Sequence, residues 1–172
     1  MPTPPPTAAA LASTDVAEIE RALTRISYLT GRVRQHERLM ALAGLPLDRA
    51  AVALLRQVAD TGSLRPSELA NLLSVEASHV TRQVQQLEKA GYLTRVPDPD
   101  DRRAQRIELT PAGQDAVDRT REASRRGMLV ALADWSPEDL RQLATLCHRL
   151  ADDFFDHAED DIDVVRAFSP EA

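Results

Sequence analysis

Positions Val16, Ile19, Leu23, Ile26, Thr30 and Val33 recur at alternating steps of three and four, which is the stripe of an amphipathic helix. Ser13 or Thr14 can cap its start, with Asp15, Glu18 and Glu20 near the positive end of its dipole. Gly44 and Pro46 stop it, so the pattern predicts one long helix over residues 14–43. A second helix is predicted over 48–60, with Val52, Leu55, Val58 and Ala59 inward and Gly62 at its end. Pro66 suits the first turn of a short third helix over 67–73. Arg65 stands where a polar cap is expected, with Ser63 as the nearest substitute. A fourth helix, 77–90, is closed by Gly91 and keeps Val80, Val84 and Leu87 on one face. Its other face carries Ser78, His79, Thr81, Arg82, Gln85 and Gln86.

Two helices joined by the short turn 73–76, the second polar on its outer face, follow helix-turn-helix logic. The period then changes to two. Residues 92–96 and 105–109 read as strands around the turn-rich 97–104, a hairpin with acids and arginines at its tip. A helix-turn-helix followed by such a hairpin is the winged form of the motif. Thr110 and Pro111 open another helix running to about residue 134, and Ser136, Pro137 and Asp139 open the last. There Leu140, Leu143, Cys147, Leu150 and Phe154 form a heptad seam. The predicted fold is mostly α, a winged helix-turn-helix with long N- and C-terminal dimerisation helices, α+β only by virtue of the small hairpin. Its parts are a flexible tail (1–13), an N-terminal dimerisation helix (14–46), a DNA-binding domain (47–110), C-terminal dimerisation helices (111–158) and an acidic, fraying tail (159–172).

Composition refines this picture. The net charge of −6 is unevenly spread: residues 111–172 carry seven Arg against fourteen acids, whereas 63–110 balance seven basic against seven acidic residues. The middle of the chain can therefore still present a basic face. Six aromatic side chains are too few for a base-stacking platform. One cysteine, Cys147, excludes an intrachain disulfide and a cysteine-based zinc cluster, and its place on the apolar seam predicts a buried structural thiol. The expected compartment is a reducing cytoplasm, with no secretory signal and no membrane span. No nucleophile elbow, phosphate-cradling glycine loop, carboxylate pair or metal cluster is visible beyond the loose His157, Glu159 and Asp160, so neither an enzyme nor a cofactor is expected.

The segment 64–113 resembles the MarR-type winged-helix transcriptional regulators. The resemblance rests on Leu64-Arg65-Pro66-Ser67-Glu68-Leu69-Ala70, Val80-Thr81-Arg82 and Leu87-Glu88-Lys89-Ala90-Gly91-Tyr92-Leu93. It extends through Asp101-Arg102-Arg103-Ala104 and Ile107-Glu108-Leu109-Thr110 to Gly113. It implies a homodimer with interlocked terminal helices, recognition helices in the major groove and hairpins in the flanking minor groove. It also implies release from DNA by a small anionic or phenolic ligand.

The residues supply the chemistry for that role. On the recognition helix, Ser78, His79, Thr81, Arg82, Gln83 and Gln86 are the candidates: arginine suits paired guanine acceptors, glutamine suits adenine, and hydroxyls suit phosphate or a thymine methyl. On the hairpin, Arg102, Arg103 and Arg106 can enter a narrow minor groove, with Asp101 orienting an arginine rather than touching DNA. Tyr28, Arg32 and His36, with Arg38, are effector-pocket candidates because basic and aromatic groups suit an aromatic acid. The bland alternative is a solvated helix face, an ordinary charged hairpin and plain core packing. The rival reading is a winged-helix protein-interaction module that does not bind DNA.

Overall fold

The computed structural model describes residues 8–101 and 103–168 of the 172-residue chain; Arg102 lies outside the described residues. The elements in order are α1 (Ala8–Thr30), α2 (Val33–Ala43), α3 (Arg49–Thr61), α4 (Pro66–Leu72), α5 (Ala77–Lys89), β1 (Leu93–Pro97), β2 (Gln105–Leu109), α6 (Pro111–Ala131) and α7 (Pro137–Phe168). They divide into two compact units, Met1–Gly127 and Met128–Ala172.

The first unit holds the core. Val52, Leu54, Leu55 and Val58 of α3, Leu69 of α4, and Val80, Val84 and Leu87 of α5 are buried together with Leu93, Ile107, Ala116 and Val117. Local signals set most boundaries. The Asp48 carboxylate accepts from the Ala51 amide at 2.7 Å and caps α3. Thr110 Oγ1 accepts from the Gly113 amide at 3.1 Å and opens α6. The connection between α4 and α5 turns at Ser74, whose φ is 51°. The strands pair antiparallel, with Leu93 opposite Leu109 and Arg95 opposite Ile107. Leu64 adds an antiparallel bridge to Ile107, so the hairpin is stitched to the turn before α4.

Three boundary expectations are corrected. The predicted first helix is two helices, broken at Gly31 and Arg32, and α1 begins upstream of the proposed Ser13 or Thr14 cap. The break is stable because other groups take its carbonyls. Thr30 Oγ1 donates to the Ile26 and Ser27 carbonyls, and the Arg49 guanidinium of α3 binds those of Thr30 and Arg32. Ser63 does not cap α4; its hydroxyl is buried without a partner among the described residues. Glu68 instead reaches back, its Oε2 accepting from the Arg65 amide at 2.7 Å.

In the second unit, Ser136 and Asp139 form the expected reciprocal start of α7: Ser136 Oγ accepts from the Asp139 amide and donates to its carboxylate. The helix continues to Phe168, beyond the expected end at 158. Cys147 is exposed on it, not buried as expected. The side chains of His157, Glu159 and Asp160 lie outside those described.

Large apolar side chains remain uncovered in both units. Val16, Ile19, Ile26, Leu29 and Val33 are exposed in the first, and Met128, Leu129, Val130, Trp135, Leu146 and Phe154 in the second. Among the described residues, no helix is long and apolar enough to cross a membrane.

Candidate nucleic-acid interface

Helix α5 is held from beneath and open above. Val80, Val84 and Leu87, at spacings of four and three, are each no more than 3% exposed and anchor one face in the core. Ser78, His79, Thr81, Arg82 and Gln86 are exposed on the opposite face, as is Gln85. Arg82 Nη2 lies 3.3 Å from His79 Nε2, so a neutral His79 accepts from the guanidinium and steadies it. Thr81 Oγ1 donates to the Ala77 carbonyl at 2.9 Å, which leaves its methyl group and its remaining acceptor capacity for other partners. Gln83 departs from this group. It is half-buried and turns toward Asp48 at 3.5 Å, on the side facing α3.

The loop between β1 and β2 is built around Asp98. This carboxylate, expected at the sequence level only as one of the tip acids, is buried. Its Oδ1 accepts from the amides of Asp100 (2.9 Å) and Asp101 (3.1 Å), and its Oδ2 accepts from Arg65 Nε at 2.7 Å. The Arg65 hydrogen bond above all, helped by the two amides against the opposing effect of burial, holds the Asp98 carboxyl well below the usual carboxylate range. The same pairing raises the Arg65 guanidinium above its ordinary value.

Arg103 is exposed and has no ion pair among the described residues. Asp101 does support it, but through the main chain: its carboxylate accepts from the Arg103 amide at 2.9 Å. Arg106 departs from the expectation of a groove-facing side chain. Its guanidinium donates to the Ser63 carbonyl, with Nε at 3.1 Å. It also lies 3.5 Å from Asp98 and 3.7 Å from Glu68. It braces the hairpin against the body. Arg65 and Asp98 were missed because the two partners stand far apart in sequence. The only local signal was an acid between two prolines, Pro97-Asp98-Pro99.

The acid response follows from this geometry. Because the folded-state pKa of Asp98 is depressed, its contribution to stability is complete above the unfolded value of about 4 and declines as pH falls from there. Melting temperature in the wild type should therefore drop between about pH 4.5 and 3 more steeply than in Asp98→Asn. Parallel curves in a thermal melt followed by circular dichroism would contradict it.

Tyr28 is exposed with the Arg32 guanidinium 4.7 Å from its ring centre, and His36 Nε2 donates to the Leu47 carbonyl at 2.8 Å, fixing its ring. A separate cleft of about 320 Å³ lies between α2 and α6. Ala43 and Ala123 are buried at it, Leu42 stands beside them, and Asp118, Arg119, Glu122 and Arg126 line the rest.

Comparison with known proteins agrees with this architecture. Residues 47–104 match the family model described as MarR family. The chain is similar to the HTH-type transcriptional regulator PecS of Dickeya dadantii, 31% identical over 99 residues, 58% of this chain and 60% of that protein. It is also similar to the multiple antibiotic resistance protein MarR of Salmonella typhimurium, 32% identical over 93 residues, 53% of this chain and 63% of that one. The match thus spans less than two thirds of either relative. Among solved structures, a MarR family protein from Bacillus stearothermophilus superposes with a TM-score of 0.74 at 22% identity, covering 83% of this chain and 97% of the other. The transcriptional regulator Tm0710 of Thermotoga maritima does so with a TM-score of 0.61 at 28% identity, covering 83% and 98%.

Proposed function

We propose that the chain, whose segment 47–104 matches the MarR family model, is a MarR-type sequence-specific DNA-binding transcriptional regulator. The observation that carries the reading is the combination of an outward polar face on α5 with an exposed Arg103, without an ion pair among the described residues, at the tip of a braced hairpin. Arg82 and Gln86 read base edges in the major groove, Ser78, His79 and Thr81 contact backbone or thymine methyl, and Arg103, with Arg102, enters the adjacent minor groove. Arg106, Asp101 and Gln83 act by holding these elements in place.

The protein works as a homodimer on a pseudo-palindromic operator. The uncovered apolar residues of α1 and α7 support this, because a single chain leaves Ile26 57% and Phe154 60% exposed. Two recognition helices one DNA turn apart, about 34 Å, require a second copy. Ile26→Asp combined with Phe154→Asp should halve the mass in sedimentation and weaken operator binding. A wild type that sediments as a monomer at tens of micromolar would count against the dimer.

Repression released by a small organic anion is the mode of regulation we favour. The cleft between α2 and α6 is the place we assign to such a ligand: Leu42, Ala43 and Ala123 give it an apolar side, and Arg119 and Arg126, now paired to Asp115 and Glu122 of their own helix, would exchange those partners for the anion. The ligand acts by differential affinity for two arrangements of the dimer. Salicylate or a similar aromatic acid, added to the protein–operator complex, tests the class; unchanged operator affinity at saturating ligand would contradict it.

A further inference from the structure

We propose that Asp98 is the positioning residue of the DNA-binding hairpin, locking it to α4 through Arg65 and Arg106 and setting the tip from which Arg103 reaches the groove. The inference rests on the DNA-binding reading above. A two-stranded hairpin has little stability of its own, so its direction must be fixed by what it touches. The Leu64–Ile107 bridge fixes the middle of β2 but leaves the far end of the loop undetermined.

Asp98 supplies that second point of attachment. Its side chain is fully covered, and its two oxygens are divided between two tasks. Oδ1 gathers the amides of Asp100 and Asp101 into a tight turn. Oδ2 receives Arg65 Nε at 2.7 Å, from the residue before α4, and faces Arg106 Nη1 at 3.5 Å, from β2. Glu68 completes the frame from within α4: it accepts from the Arg65 amide and stands 3.7 Å from Arg106.

From this carboxylate a short relay leads to the tip. Asp98 holds the Asp101 amide, and the Asp101 carboxylate holds the Arg103 amide. Covering Asp98 also removes one of the three tip acids from the surface that meets phosphate.

A double-mutant cycle on the full chain tests the proposal, with a duplex selected from random sequence by the wild type and affinity read by fluorescence anisotropy. Arg103→Ala should weaken wild-type binding by roughly ten- to a hundredfold. In the Asp98→Asn background the same change should cost less than about threefold, because the arginine is no longer held at the groove. Arg82→Ala should cost the same factor in both backgrounds.

Arg65→Gln serves as a second background, since it removes one leg of the frame from a partly exposed position. Far-UV circular dichroism checks that each variant is folded. In hydrogen exchange, protection of the Asp100 and Asp101 amides should fall in Asp98→Asn while that of Val84 in α5 persists. Equal Arg103→Ala factors in all folded backgrounds would overturn the positioning role and leave the DNA reading intact. A wild type that selects no duplex would overturn the DNA reading, and the positioning role with it.

Discussion

Gly113→Ala should melt far below the wild type. A methyl group at Gly113 would sit 2.0 Å from the Tyr92 carbonyl oxygen and 3.1 Å from Leu109 Cδ2. The first of these is backbone, and it is doubly committed. Tyr92 O accepts from the Thr110 amide at 3.0 Å, and the Tyr92 amide donates to the Leu87 carbonyl at 2.9 Å. The end of α5, the start of β1 and the start of α6 meet here, so none can retreat without disturbing the other two. Overpacking at such a site costs about 3 kcal/mol or more. For a chain of this size that is a fall in Tm of roughly 6–12 °C. A scanning calorimetry trace within about 2 °C of the wild type would show that α6 can slide and that the contact is not rigid.

Arg82→Ala should do the opposite: leave stability nearly untouched and remove DNA affinity. Arg82 is exposed, and its one hydrogen-bond partner among the described residues is His79 on its own helix. No core contact is lost with it. In a major groove an arginine that bonds a guanine is worth about 1–3 kcal/mol of discrimination, and a dimer loses it in both half-sites. Affinity for the selected duplex should therefore fall by about two orders of magnitude while binding to scrambled DNA changes far less. An equal loss on both duplexes would make Arg82 a phosphate contact rather than a reader of bases.

The two variants probe different parts of what the sequence makes visible. Elements announced by local chemistry were legible: Gly91 closing α5, Thr110 with Pro111 opening α6, and Ser136 opening α7. The three- and four-residue spacing of Val80, Val84 and Leu87 correctly assigned both faces of α5. Failures came where distant residues decide. The stripe through Thr30 and Val33 continues unbroken in sequence, yet the helix ends there because Arg49, far along the chain, takes its last carbonyls. Arg106 looks like any outward arginine of an alternating strand until Ser63 and Asp98 are brought beneath it. Asp98 is the clearest case. Its main counter-ion lies 33 residues earlier, and no periodicity reports such a pairing. Cys147 illustrates the limit of an apolar seam: the heptad pattern marks a face that wants covering, and in one chain that face is still open.

The most direct test of the account is a titration of the 172-residue chain into the selected duplex and a scrambled one, at several salt concentrations, with wild type and Arg103→Ala side by side. The account predicts tight binding to the selected duplex and weak binding to the scrambled one. The logarithm of the affinity should fall steeply with the logarithm of salt, and the mutant slope should be shallower by about two, one for each copy of the lost cation. Equal and weak binding to both duplexes, with the same salt slope in wild type and Arg103→Ala, would contradict it and favour a winged helix used for protein contacts instead.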